Sequence, residues 1–190
     1  MTVPTAPDRG RLLAELARHD WQALKSFKGS AVDLPSAITD LVFAGTEAAA
    51  DRAYWQIDNT ALIQGRLSQC CPAVVSCLVV GLVDAPAVSR SLIIDLLATI
   101  GGGYDDHVDS AWVGPVSSHD CIQRMAVGFE TYERELRERG NASCVDILFM
   151  CGKDSAQMLP RVRQVLVEAL ALPSCRPISD LIESSLADLD

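Results

Sequence analysis

Pro72-Ala-Val-Val-Ser-Cys-Leu-Val-Val-Gly-Leu82 and Pro160-Arg-Val-Arg-Gln-Val-Leu-Val-Glu-Ala-Leu170 can be laid over one another. Pro72/Pro160, Val74/Val162, Leu78/Leu166, Val79/Val167 and Leu82/Leu170 share one offset of 88 residues (160 less 72). After one extra residue the match resumes at Leu92/Leu181, Ile93/Ile182, Leu97/Leu186 and Ile100/Leu189. Each copy reads as two apolar helices in succession. Proline suits the first turn of a helix, where its missing N–H would have found no partner. Half the offset is 44 residues, the size of a two-helix repeat that buries its apolar face against its neighbours. The pattern predicts an all-α chain.

Outward from that pair, Ala73 to Val83 is apolar all round, the mark of a helix enclosed on every side. Its valines would also suit a buried strand, but its length and proline start select helix. Pro86 begins the next helix, with Leu92, Ile93, Leu96, Leu97 and Ile100 as its buried stripe and Gly101-Gly102-Gly103 as its end. Upstream, Asp8 caps a helix through Leu12, Leu13 and Leu16. Asp20 caps a short one with Trp21, Leu24 and Phe27, and Leu34-Pro35 opens a third that stops at Gly45. Thr46 precedes a strong helix former from Glu47 to Trp55, ended or bent at Asp58-Asn59-Thr60.

Downstream, one long amphipathic helix runs from Ser118 or His119 to the Gly140 cap, and Val145 to Met150 is a short buried helix. A further helix starts at Asp154 or Ser155 and carries Leu159, Val162, Leu166 and Leu170. The last has Ile178, Leu181, Ile182, Leu186 and Leu189 as its apolar stripe and keeps a polar outer face. Residues 101–118 form the longest stretch without a periodic pattern, and a long loop in a compact fold is usually functional or disordered. Residues 1–7, with Pro4 and Pro7, are expected to form a loose arm on a single domain spanning 1–190.

Composition narrows the class. Of 190 residues, 49% are hydrophobic and 22% charged, the balance of a folded chain with a sizeable core. The 25 acids outnumber the 16 bases, for a net charge of −9. Phosphate backbones are held by clustered Lys and Arg, so this balance argues against nucleic acid as a direct ligand. An acidic surface attracts basic proteins and speeds their capture. Seven cysteines sit at irregular spacing, mostly in or beside apolar segments, where a thiol behaves as a small hydrophobe. The opening residues have no apolar core of a secretory signal. Free thiols in a reducing cytoplasm are therefore expected. The longest apolar run, Ala73 to Val83, falls short of the roughly 20 residues that cross a bilayer.

Three constellations carry possible chemistry. Tyr104-Asp105-Asp106-His107-Val108-Asp109 is the densest polar cluster. Its carboxylates and imidazole could hold a hard metal ion or a water for acid–base work, but the fixed spacing of a calcium loop is missing, and a solvated, protein-binding loop is the plainer reading. His119-x-Cys121 with Cys70-Cys71 lacks the Cys-x₂₋₄-Cys pairs of structural zinc, so no metal or other cofactor is expected. Tyr54-Trp55-Gln56-Ile57-Asp58-Asn59 mixes aromatics with polar groups, as the energetic centres of interfaces do, or else plugs its rings between helices.

The block from Trp55 to Tyr104 carries Gln64-Gly65, then Cys71-Pro72-Ala73-Val74-Val75, an Asp84-Ala85-Pro86 junction, and Leu92 to Tyr104 with Asp95, Ile100 and Gly103. In this order it resembles bacterial HEAT-repeat-like proteins, in which a Trp-x-Gln-Gly-type turn leads into proline-started apolar helices. The aromatic before the turn is replaced here by Leu62 and Ile63. The resemblance implies a HEAT/armadillo-like stack of antiparallel helix pairs. It also implies, as one job of small acidic stacks, a non-enzymatic immunity protein that neutralises a bacterial toxin.

The expected function is accordingly cytosolic binding of a basic toxin domain, occluding its active or substrate-binding face without catalysis. The candidate contacts are Tyr54, Trp55 and Asn59 near the turn, with Tyr104, Asp105, Asp106, His107, Asp109 and Trp112 on the long loop. A general adaptor joining two cellular proteins is the alternative, and a metal-dependent hydrolase using Asp105 to Asp109 is a third.

Overall fold

Proline marks the start of three helices. Pro35, Pro72 and Pro160 each occupy the second position of an α-helix: α2 (Leu34–Val42), α4 (Cys71–Leu82) and α10 (Leu159–Leu170). Side-chain oxygens start others. Thr46 accepts from the Ala49 N–H to cap α3 (Glu47–Ala61), and Asn141 accepts from the Ser143 N–H to cap α9 (Ala142–Asp154). The remaining helices are α1 (Arg9–Leu16), α5 (Ala87–Gly101), α6 (Ser110–Val113), α7 (Ser118–Ala126), α8 (Phe129–Arg139) and α11 (Ser179–Asp188), with a 3₁₀ segment at Pro173–Ile178. The computed structural model describes residues 9–105 and 109–189. The expected arm at 1–7 lies outside these residues, as do the Asp8 cap, Asp106 and His107. The chain is all-α, with two minimal antiparallel hairpins among the described residues.

Helix α4 is the middle of the molecule. Cys71, Ala73, Val74, Val75, Cys77, Leu78, Val79, Gly81 and Leu82 are all buried, as a helix apolar on every side requires. Helices α1, α2, α5 and α7 surround it. Successive helices are neighbours: α2 lies on α3, α4 on α5, α8 on α9 and α10 on α11. Each of these pairs meets the next through α2–α4 and α3–α5, then α5–α9, then α9–α10, while α7 packs on α4, α5 and α9. One apolar core extends from Leu12 to Leu189.

Four expectations need correction. Trp21 to Phe27 forms turns and the first strand of a hairpin, β1 (Lys25–Ser26) with β2 (Gly29–Ser30). The Trp21 indole N–H folds back onto the Leu16 carbonyl at 2.8 Å, and the Phe27 N–H donates to the Thr60 carbonyl at 3.0 Å instead of continuing a helix. Asp58-Asn59-Thr60 does not end α3, which runs on to Ala61. Beyond it comes a second hairpin, β3 (Leu62–Ile63) with β4 (Arg66–Leu67). Its two central residues, Gln64 and Gly65, have φ of 52° and 77°, the positive values that a tight two-residue turn demands. The long helix expected from 118 to 139 breaks into α7 and α8 at Val127-Gly128. A Cβ on Gly128 would lie 2.6 Å from the Tyr132 hydroxyl, so the break also makes room for a buried ring. Lastly, α9 extends to Asp154, and α10 starts only at Leu159.

Helix α2 approaches α4 closely at Gly81, where a Cβ would sit 2.5 Å from Val42 Cγ2 and 3.1 Å from Cγ1. Gly81→Ala is expected to lower stability by about 1–3 kcal/mol, because both helices are buried there and one must move. Gly45→Ala, with nothing within 4 Å of the added Cβ, should change it little. Urea unfolding of the two variants checks the contrast.

Candidate functional site

The long loop is held to the hairpin region by main-chain and side-chain hydrogen bonds. Leu67 N–H donates to the Tyr104 carbonyl at 3.0 Å, and Tyr104 N–H to the Gly65 carbonyl at 2.9 Å. The Tyr104 hydroxyl donates to the Gln64 carbonyl at 2.9 Å, so its ring closes over the turn. At the other end of the loop, Gln69 N–H donates to the Val113 carbonyl at 2.8 Å, and Lys25 Nζ to the Ala111 carbonyl at 2.8 Å. Trp112 then stands edge-on to Phe27, with ring centroids 5.4 Å apart. Tyr104, Asp105, Asp109 and Trp112 are thus supported together at the hairpin end of the molecule.

Their carboxylates already have structural duties. Asp105 Oδ2 accepts from the Ser118 N–H at 2.6 Å, at the first residue of α7. Asp109 Oδ1 accepts from the Ala111 N–H at 2.9 Å and caps α6. The Ser118 amide holds the Asp105 carboxyl below the usual range, because the charged form is the better acceptor.

Tyr54, Trp55 and Asn59 rest on a different support, the outer side of α3. Tyr54 and Trp55 meet edge to face, with centroids 5.2 Å apart, and Asn59 Nδ2 donates to the Trp55 carbonyl at 2.8 Å. Of these two rings, Tyr54 is half-buried and Trp55 is 53% exposed. Trp112 is 54% exposed and Tyr104 38%, so three of the candidate aromatics reach solvent. Burial pushes the Tyr54 phenol up, and Asp58, Asp95 and Asp51 push it the same way, against the Thr99 side chain.

None of those aspartates is among the candidate contacts read from the sequence, although Asp58 lies inside the Tyr54–Asn59 stretch. Asp51 and Asp58 are seven residues apart, two helical turns, with Tyr54 and Trp55 between them on the same side of α3. The spacing is visible in the sequence, but Asp58 reads as a helix breaker until the helix is seen to continue. Asp95 on α5 adds a third carboxylate from the neighbouring helix. Burial pushes the carboxyls of Asp58 and, on α9, Asp146 above their ordinary range.

The thiols offer little reactivity. All seven cysteines are free and buried. Burial pushes the Cys77, Cys121 and Cys151 thiols up to about 12 and raises Cys71 and Cys144 as well. Cys70 is shifted the other way by hydrogen bonds from Cys71 and Ser68, but its side chain is closed off from solvent. His119 does not pair with Cys121: its Nδ1 lies 2.5 Å from Asp154 Oδ1. Among the described residues, no three His, Cys, Asp or Glu side chains are grouped to hold a metal ion. No described helix is long and apolar enough to cross a membrane. Against known proteins, the chain matches no protein-family model, no curated protein and no solved structure at a significant level.

The acids divide by sign of shift. A carboxyl held low in the fold contributes stability above its unfolded pKa and loses it as pH falls through its folded pKa. One held high costs stability above its folded pKa, and the cost disappears as pH falls through it. Asp58→Asn and Asp146→Asn should therefore raise Tm at pH 7, with the gain vanishing below about pH 4. Asp105→Asn should lower Tm at pH 7 and flatten its fall into acid. Circular dichroism melts across pH check both signs, and a loss of Tm in the first two variants at pH 7 would contradict the burial cost.

Proposed function

We propose that this chain is an immunity protein, a non-enzymatic inhibitor that binds a basic bacterial toxin domain and covers its active or substrate-binding face. The observation that carries this reading is the exposure of Trp55, Tyr104 and Trp112 on supports fixed by helix packing and main-chain hydrogen bonds. Large aromatic side chains anchor interfaces because they bury much apolar area while losing few rotamers. A net charge of −9 then steers a basic partner onto them.

The pair-after-pair order of neighbouring helices supports a HEAT-like stack, which offers a broad curved face to a macromolecule. Acidic side chains would stand in for an anionic substrate of the toxin, and the aromatics would anchor the contact. The candidate contacts remain Tyr54, Trp55, Asn59, Tyr104, Asp105, Asp109 and Trp112, together with Asp106 and His107. The partner is a protein, and the cytosol is where an incoming toxin would be met.

The test is co-expression. The C-terminal segment encoded by the adjacent gene should be lethal when expressed alone and harmless beside this chain. Lethality undiminished by this chain would end the reading. In a purified complex, Asp105→Asn with Asp109→Asn should slow association a few-fold and weaken its salt dependence, since asparagine keeps the caps while removing the charge. An unchanged on-rate in stopped flow would remove the loop from the interface.

A further inference from the structure

Several acids of this chain have cations beside them. Asp84 pairs with Arg11 at 2.9 Å, Glu133 with Arg137 at 3.0 Å and Glu168 with Arg137 at 2.5 Å. The buried Glu135 lies between Arg90 and Arg139. Other acids have no ion pair among the described residues, and five of them, Glu47, Asp51, Asp58, Asp95 and Asp146, lie on the outer side of α3, α5 and α9. The Asp95 carboxylate accepts from the Ser143 hydroxyl at 2.6 Å. Lys153, at this edge, lies over the Phe149 ring, 5.7 Å from its centroid.

These helices form one continuous surface. Glu47, Asp51, Val88 and Leu92 line a shallow cleft between α3 and α5. A second cleft, of about 530 Å³, opens between α5 and α9. Its apolar lining is Ala98, Phe149 and Met150, and its polar lining includes Asp95, Thr99 and Asp146. Tyr54 lies close to Thr99 of the second cleft, and exposed Trp55 packs edge to face against it.

We propose that this α3–α5–α9 face is part of the docking surface for the partner protein, and that what docks on it is a basic segment placing lysine or arginine side chains in the cleft between α5 and α9. The inference rests on the reading that this chain acts by binding a protein. Charge complementarity names the occupant. Lysine and arginine have an apolar stem and a cationic head, and the cleft supplies apolar lining with carboxylates beside it. Aromatic faces nearby attract the same cations.

A peptide of known sequence tests this without any toxin. The probe is an amphipathic helical peptide of about 18 residues with leucines on one side and lysines on the other, and its control replaces lysine by glutamate. In ¹⁵N spectra of the whole chain, the lysine peptide should move amides of α3, α5 and α9, and the glutamate peptide should not. Asp95→Lys with Asp146→Lys should weaken the lysine peptide roughly tenfold or more. Asp95→Asn with Asp146→Asn should weaken it less, and serves if the reversed variant fails to fold. Val167→Ala, an exposed position on α10, should leave it unchanged. Shifts confined to residues 101–118, equal binding of the glutamate peptide, or full affinity in a folded double variant would overturn the proposal. Toxin neutralisation that survives the folded double variant would overturn this docking face while leaving the inhibitory function standing. Failure of co-expression rescue with normal peptide binding would do the reverse.

Discussion

The rest of the structure depends on enclosing α4. A helix with no polar side cannot lie at a surface, and nine of its twelve residues are buried. Enclosure needs neighbours on every side, and α1, α2, α5 and α7 supply them. The apolar faces of α2 and α5 turn inward onto α4, and α3 and α9 then pack against α5. The polar side of α3, α5 and α9 remains outside, and Glu47, Asp51, Asp58, Asp95 and Asp146 lie on it with no ion pair among the described residues.

The parts of the fold that were legible in the sequence follow from periodicity and punctuation. The apolar stripes of α5, α7 and α10 repeat at three and four residues, and Pro35, Pro72 and Pro160 stand in the first turn of their helices. Segments governed by tertiary contacts were not legible. Phe27 leaves helical geometry because the Thr60 carbonyl, distant in sequence, takes its N–H. The break at Gly128 serves the Tyr132 ring, and a helical pattern crosses it unchanged because Met125, Phe129 and Tyr132 keep the spacing on both sides. The same holds for the site. Trp55 and Trp112 could be picked out as aromatics in polar company, but exposure depends on neighbours. Asp95 and Asp146 belong to helices that look like ordinary core elements until α3, α5 and α9 are seen side by side.

Two kinds of acid result. Asp105 and Asp109 are tied to amide groups and contribute to the order of the loop. Asp58 is held partly out of water with no ion pair among the described residues, which opposes folding. Stability alone does not favour such a group, and a carboxyl raised by burial beside exposed aromatics points toward binding rather than packing. The aromatics reinforce it, because Trp55 and Tyr54 are fixed against each other beside Asp51 and Asp58 and need little ordering on contact.

Native-state hydrogen exchange of the free chain tests the central claim most directly, since a fold organised around one enclosed helix must open last at that helix. The account predicts that amides of α4 exchange only through global unfolding, and that those of α6 open locally at far lower free energy. Exchange of Val75, Leu78 and Val79 as fast as that of Trp112 would contradict it.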